Sequence, residues 1–195
     1  LSGLTVKVPI AGMLFFLNYM DIEFLINPLR ILAFTSIFFG IVLAILQSNV
    51  KKVLAYSTVS QMGFILLAIS TLNAEAAVYY AFAHALFKSG LFLGMGVLIK
   101  KQGTKDIDEL FYKDGLIMIS IMVLTLAIGG ISPLIGAFGK HEILSELSGY
   151  WIYLFYIGSI GTLISFIKLD YRLFELENFE RIEISMEEIL TFVAA

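Results

Sequence analysis

Four ionisable side chains, Lys7, His84, Lys88 and Lys140, lie where the surrounding sequence is almost pure hydrocarbon. Lys88 falls near the middle of an unbroken apolar stretch. A lysine at the centre of a membrane helix costs about 2.5 to 3.5 kcal/mol on insertion scales, so a partner or a role is expected of it. His84 stands four residues earlier, on the same face of a helix. Taking an amine out of water favours its neutral form and a nearby carboxylate favours the charged one, so small changes in hydration or pairing load and unload a proton. Imidazole itself titrates near neutrality. His84 and Lys88 are therefore a candidate proton relay. The competing reading is a histidine that bonds a carbonyl and a lysine that snorkels or pairs for packing.

Lys140 follows a cluster of helix breakers, Gly129, Gly130, Pro133, Gly136 and Gly139, and is followed by His141 and Glu142. Proline removes a backbone donor and glycine weakens the helix, and unpaired backbone at membrane depth is tolerated only where protein or a hydrated cavity satisfies it. Such a break brings a helix end, a cation and a carboxylate together, as ion sites in transporters do. The alternative is a helix-end lysine reaching for lipid headgroups. Lys7 is mid-membrane if its helix begins upstream of Leu1 and an interfacial anchor otherwise. Tyr56, Ser57, Thr58, Ser60 and Gln61 either line a hydrated path or act as glue between helices. Gly90, Gly94 and Gly96 read as close packing, and Glu75 suits the positive end of its helix.

The elements that must hold these groups are membrane helices. Of 195 residues 59% are apolar and 15% charged, and the mean hydropathy is +0.91, against about 45–50% apolar in a soluble domain. A water-soluble chain of this length would expose large apolar patches, whereas lipid solvates them. The net charge of −3 comes with no basic stripe, which argues against nucleic acid. The absence of cysteine excludes disulfides, thiolate iron-sulfur ligation and thiol nucleophiles from this chain. No metal site and no cofactor are expected in it.

A span needs about 20 apolar residues. The sequence predicts an all-α integral membrane bundle with helices over Leu4–Met20, Leu29–Gln47 with Pro28 in its first turn, Val53–Thr71, and Ala74–Ile99 capped by Asn73. A short turn at Ser48–Lys51 and a long polar connection at Lys100–Asp114 separate them. A broken crossing follows between Gly115 and Leu147, then a full span over Trp151–Leu169. A charged stretch, Glu175–Glu188, leads to an apolar end; the chain reads as a fragment cut at both ends, and no signal peptide can be argued at Leu1. Lys51, Lys52, Lys100, Lys101, Lys105, Lys113, Lys168 and Arg172 fall on one face and Arg30 on the other, which sets the lysine-rich face in the cytoplasm, matrix or stroma. A prokaryotic cell membrane is expected, an organellar inner membrane being the alternative.

The stretches LSGLTVKV (Leu1–Val8), NVKKVLAYSTVSQMGF (Asn49–Phe64), AFAHALFKSGLFLGMG (Ala81–Gly96), TKDIDEL (Thr104–Leu110) and GISPLIGAFGKHEIL (Gly130–Leu144) resemble, in order and spacing, the antiporter-like membrane subunits of respiratory complex I, energy-converting membrane-bound hydrogenases and Mrp-type sodium/proton antiporters. The resemblance covers essentially the whole chain. It implies a fold of two inverted five-helix repeats, each with a broken helix: residues 1–20 would end the first repeat, 21–172 form the second, and 173–195 lead into a further helix. It implies proton or sodium translocation by a non-redox subunit of a complex I-like or hydrogenase-type complex, with other membrane subunits and the bilayer as partners. Lys7 resembles the lysine linking two half-channels, Lys88 and His84 the central relay, and Lys140 the terminal residue on the broken helix. Two departures stand out. Many relatives carry a histidine where this chain has Tyr80, and an aspartate where it has His141; with Glu142 these are candidate modulators. A stand-alone Mrp-type antiporter subunit and a structural subunit without transport are the rival readings.

Overall fold

Two asparagines decide where the central helices start. Asn49 accepts hydrogen bonds from the backbone N–H groups of Lys51 (3.0 Å) and Lys52 (3.4 Å), and Asn73 accepts from Ala76 N (2.9 Å), each satisfying donors that a first helical turn leaves open. The computed structural model describes residues 8–19, 23–111 and 115–173. Among these the helices are α1 (Val8–Tyr19), α2 (Ile26–Leu46), α3 (Val50–Ser70), α4 (Ala74–Gln102), α5 (Gly115–Gly129), α6 (Ile135–Ser145) and α7 (Tyr150–Leu173), with a short 3-10 turn at Glu23–Leu25. No strand occurs among the described residues; Asn49 and Asp106 form one isolated bridge.

The expected helices are present, with shifted ends. The Asn49 cap starts α3 at Val50, so Lys51 and Lys52 lie in its first turn rather than in a loop. α4 runs on to Gln102, carrying Lys100 and Lys101 in its last turn, and stops where Gly103 takes the left-handed conformation at φ 75°. α7 extends past Leu169 to Leu173 and takes in Asp170 and Arg172. Lys7, Lys113 and the stretch 175–188 lie outside the described residues.

The break falls where glycine and proline place it. After α5, Gly130 adopts φ 86° and the Ser132–Pro133 peptide is cis; α6 then resumes at Ile135. Together α5 and α6 run antiparallel to α4 along its whole length. A Cβ on Gly94 would lie 3.0 Å from Ile121 Cγ1, one on Gly136 3.6 Å from Phe87, and one on Gly139 2.5 Å from Tyr80, while Asn73 Nδ2 donates to Glu146 Oε1 at 3.2 Å. The two short helices are thus one crossing, interrupted beside the middle of α4. Gly96, expected to pack closely, has open space where a Cβ would be.

Helices Phe24–Leu46, Val50–Ser70, Ala74–Gln102 and Tyr150–Leu173 are long and apolar enough to cross a membrane. Their outward faces expose large apolar side chains such as Phe39, Phe82 and Ile160, which lipid can solvate and water cannot. The chain is an integral membrane protein. One core cluster, around Leu54, Leu91, Ile121 and Phe166, lies toward the lysine-rich end; another gathers Ile37, Phe64, Tyr80 and Trp151. At that lysine-rich end the α2–α3 and α4–α5 connections are tied together, Val50 N donating to Lys105 O (3.0 Å) and Ile107 N to Ser48 O (2.8 Å). Lys168 donates to Ile45 O and Arg172 to Asp108 Oδ1 (2.5 Å), whereas Arg30 lies at the other end, 5.9 Å from the Trp151 ring. The charge asymmetry read from the sequence is therefore a real difference between two ends of the bundle.

α2 and α3 meet backbone to backbone at Gly40, where a Cβ would stand 2.5 Å from Ser60 N and 2.8 Å from Tyr56 O. Gly40→Ala should cost about 1–3 kcal/mol through overpacking, whereas Gly96→Ala, facing open space, should be neutral or stabilising. Thermal unfolding of the purified protein in lipid checks this; equal midpoints for the two variants would contradict the close contact of α2 with α3.

Candidate functional site

Lys88 is as far from Ala74 as from Gln102, with about 21 Å of helix on either side at the ordinary rise per residue. Its side chain is fully buried. The amine donates to Ser57 Oγ (2.5 Å) and Leu54 O (2.9 Å) across the α3–α4 interface and lies 5.6 Å from the Phe166 ring of α7. The backbone oxygen is joined by a hydroxyl and a ring face, a set that stabilises an ammonium and equally accommodates a neutral amine.

α4 carries the rest of this seam at four-residue spacing. His84 is buried one turn from Lys88, its ring edge-on to Phe87 with centroids 5.8 Å apart. Tyr80, one turn further and also buried, donates its hydroxyl to Gln61 Oε1 at 2.5 Å. Ser57 and Gln61 are themselves one turn apart on α3, so two helices face each other with matching polar positions. Gln61 Nε2 is buried without a hydrogen-bond partner among the described residues, as is Ser60 Oγ. Thr58 bonds its own helix at Leu54 O (2.9 Å). The hydroxylated set on α3 thus divides: Ser57 and Gln61 join the seam, and Thr58 serves α3 internally.

Lys140 does not reach for headgroups. It is 5% exposed and turns back into the break, donating to Gly129 O (3.0 Å) and to Thr162 Oγ1 of α7 (3.1 Å), with the Phe64 ring 4.7 Å away. The last carbonyls of a helix have no partner within it. Lys140 supplies one for Gly129, so the interruption and the buried amine satisfy each other. A Cβ on Gly130 would lie 2.7 Å from Lys140 Cδ, which leaves room there only for glycine. The expected neighbours His141 and Glu142 are exposed on the outer side of α6, because consecutive residues on a helix point about 100° apart. No carboxylate is brought to Lys140 by that pair; Glu142 instead lines an open cavity of about 310 Å³ with Asn73, Glu75 and Tyr79.

α7 joins the two amines. Thr162, which accepts from Lys140, and Phe166, which covers Lys88, are one turn apart on it. Reading the sequence for charges alone missed Thr162, Phe64 and the Tyr80–Gln61 pair. The signal available was the row of hydroxyls Ser159, Thr162 and Ser165 along one side of an otherwise apolar helix.

A family model described as NADH:quinone oxidoreductase/Mrp antiporter, transmembrane, matches residues 1–165. Over 151 residues the chain is 32% identical to NADH-ubiquinone oxidoreductase chain 5 of Dictyostelium citrinum and of Dictyostelium discoideum, a match covering 71% of this chain and 22% of each relative. Over 126 residues it is 34% identical to NADH-quinone oxidoreductase subunit N of Ruthia magnifica subsp. Calyptogena magnifica, covering 60% of this chain and 26% of that protein. The chain therefore spans roughly a quarter of the length of these relatives or less. A chain in the structure of the membrane-bound sulfane sulfur reductase, an archaeal respiratory membrane complex, shares the fold with a TM-score of 0.78 at 23% identity, over 87% of this chain and 37% of that one.

Ser57→Ala removes one of the oxygens that hold the Lys88 amine and should cost about 1–3 kcal/mol, the usual result of leaving a buried donor short of a partner. Ser60→Ala deletes a hydroxyl with no hydrogen-bond partner among the described residues and should leave the unfolding midpoint unchanged. If both substitutions proved neutral, the Lys88–Ser57 bond would not be contributing to the fold.

Proposed function

The chain belongs to the NADH:quinone oxidoreductase and Mrp antiporter transmembrane family, and we propose that it moves protons, or sodium ions, across the membrane as a non-redox subunit of a respiratory complex. The observation that supports this best is the pair of buried amines, each on a carbonyl and a hydroxyl oxygen and each within reach of the same two turns of α7. Packing alone does not call for them: uncharged residues of similar volume would fill the same space without the cost of desolvating a cation.

In this reading Lys88 is the central carrier and His84 its neighbour in the relay. Lys140 is the terminal group on the broken crossing, and Lys7 the link to a preceding half-channel. A neutral amine at Lys88 accepts a proton, and the new charge repels a second cation along the seam, so that protonation at one position drives release at another. Neutral oxygens around Lys140 suit this use, because they hold the amine in either state without trapping the charge as a carboxylate would. Tyr80 stands where many relatives have histidine. Its hydroxyl, engaged by Gln61, fixes the seam's end rather than adding a second imidazole.

Bond chemistry and electron transfer would belong to partner subunits, and the coupling to them would be electrostatic or conformational. The relatives named above are oxidoreductase subunits, which favours a redox-driven assembly over a stand-alone antiporter. Lys88→Ala in the full-length protein, assembled and reconstituted in liposomes, should cut cation translocation by roughly tenfold or more, the scale set by losing a positioned proton-transfer group, while assembly is retained. Wild-type translocation by an assembled Lys88→Ala complex would leave only a structural role for the chain.

A further inference from the structure

Arg30 is the only arginine or lysine among the described residues at the lysine-poor end of the bundle, since Lys140 is turned into the break. The transport reading gives it no task. It is half-buried and lies 5.9 Å from the Trp151 ring, and its Nε is buried without a hydrogen-bond partner among the described residues. No carboxylate pairs with it among those residues. A guanidinium is always charged and presents its donors as a planar fork that matches a phosphate.

Below Arg30, an open groove of about 570 Å³ follows the outside of the α2–α7 contact, walled by Ile31, Phe34, Phe38 and Val42 of α2 and by Trp151 and Leu154 of α7. Phe34 and Trp151 are stacked, with centroids 5.4 Å apart and planes 8° from parallel, which gives the upper part a flat aromatic floor. Thr35, the one hydroxylated residue in the wall, spends its hydroxyl on Leu32 O of its own helix (2.8 Å). The groove therefore offers hydrocarbon and no free donor. From Ile31 to Val42 the helix rises about 16 Å, half the thickness of a hydrocarbon core of about 30 Å. A helix of a partner subunit would cross the whole core. An acyl chain hanging from a phosphate is one leaflet long.

We infer that this face binds an anionic phospholipid of the leaflet on the lysine-poor side, its phosphate on the Arg30 guanidinium and one acyl chain in the groove against Phe34, Trp151 and Phe38. The phosphate gives Arg30 the charge-assisted partner it lacks among the described residues. Tyr150, exposed and 4.3 Å from Trp151 between ring centroids, adds a second aromatic ring at the level where such rings meet headgroups. The site is independent of whether the chain moves cations.

Trp151 is the single tryptophan of the sequence and stands in the groove wall, so its fluorescence reports what lies there; bromine on an acyl chain quenches it on contact. The full chain is reconstituted in phosphatidylcholine vesicles containing graded fractions of either phosphatidylglycerol or phosphatidylcholine brominated on the acyl chains. Half-maximal quenching should need about fivefold less of the anionic lipid, the scale of one basic side chain at a membrane surface, and Arg30→Gln should bring the two curves together. Coincident curves for the wild type overturn the inference, as does a preference that survives in Arg30→Gln. Absence of quenching by both lipids also overturns it and makes a protein segment the occupant. Should Arg30→Gln fail to fold, Thr35→Phe, which fills the groove from an exposed position, takes its place: loss of the preference supports the site, and an unchanged preference contradicts it.

Discussion

The Gly129 carbonyl is open to Lys140 because the helix stops there, and Lys140 can stay at membrane depth because that carbonyl and Thr162 receive it. Neither half is tolerable alone. An interrupted helix in hydrocarbon leaves backbone oxygens without partners, and a lysine in hydrocarbon leaves donors without acceptors. Joined, they make a crossing whose middle is polar, compact and dependent on an ionisable group. The glycines around it serve this one contact: Gly130 gives the aliphatic stem of Lys140 room, and Gly136 lets the resumed helix come against the Ala127 carbonyl.

From that point the arrangement follows by register. α7 presents Thr162 to Lys140 and Phe166 to Lys88, and α3 presents Ser57 to Lys88 and Gln61 to Tyr80. Four-residue spacing on each helix turns separate contacts into a ladder, because positions one turn apart stay on one face. The apolar clusters on either side isolate this ladder from lipid, and isolation is what makes moving a charge along it consequential: interactions between charges are strong where water is scarce. The relatives of this family are several times longer than the chain, so in the proposed transport the seam would be one part of a longer path.

Much of this was legible in the residues. Apolar run lengths located the spans, Asn73 announced the start of α4, and the Gly129–Gly139 cluster located the break, because each rests on local backbone chemistry. The lysines stood out because hydrocarbon tolerates them poorly. What the sequence hid was direction. Lys140, His141 and Glu142 are neighbours in the chain and look like one site, yet the helix turns the last two outward. Gly94 and Gly96 look alike, and only Gly94 meets a neighbouring helix. Thr162 is an ordinary polar residue until the packing of α7 against the broken crossing is known, which no local pattern encodes.

Transport along this seam, as proposed, requires the two buried amines to change their protonation state during turnover. Nitrogen NMR of the Lys88 and Lys140 side chains, in protein reconstituted in lipid and observed as an imposed proton gradient is reversed, reads that directly. Signals that move between the ammonium and amine positions with the direction of the gradient are the predicted result. Amines that remain charged throughout, while cations still cross, would contradict it.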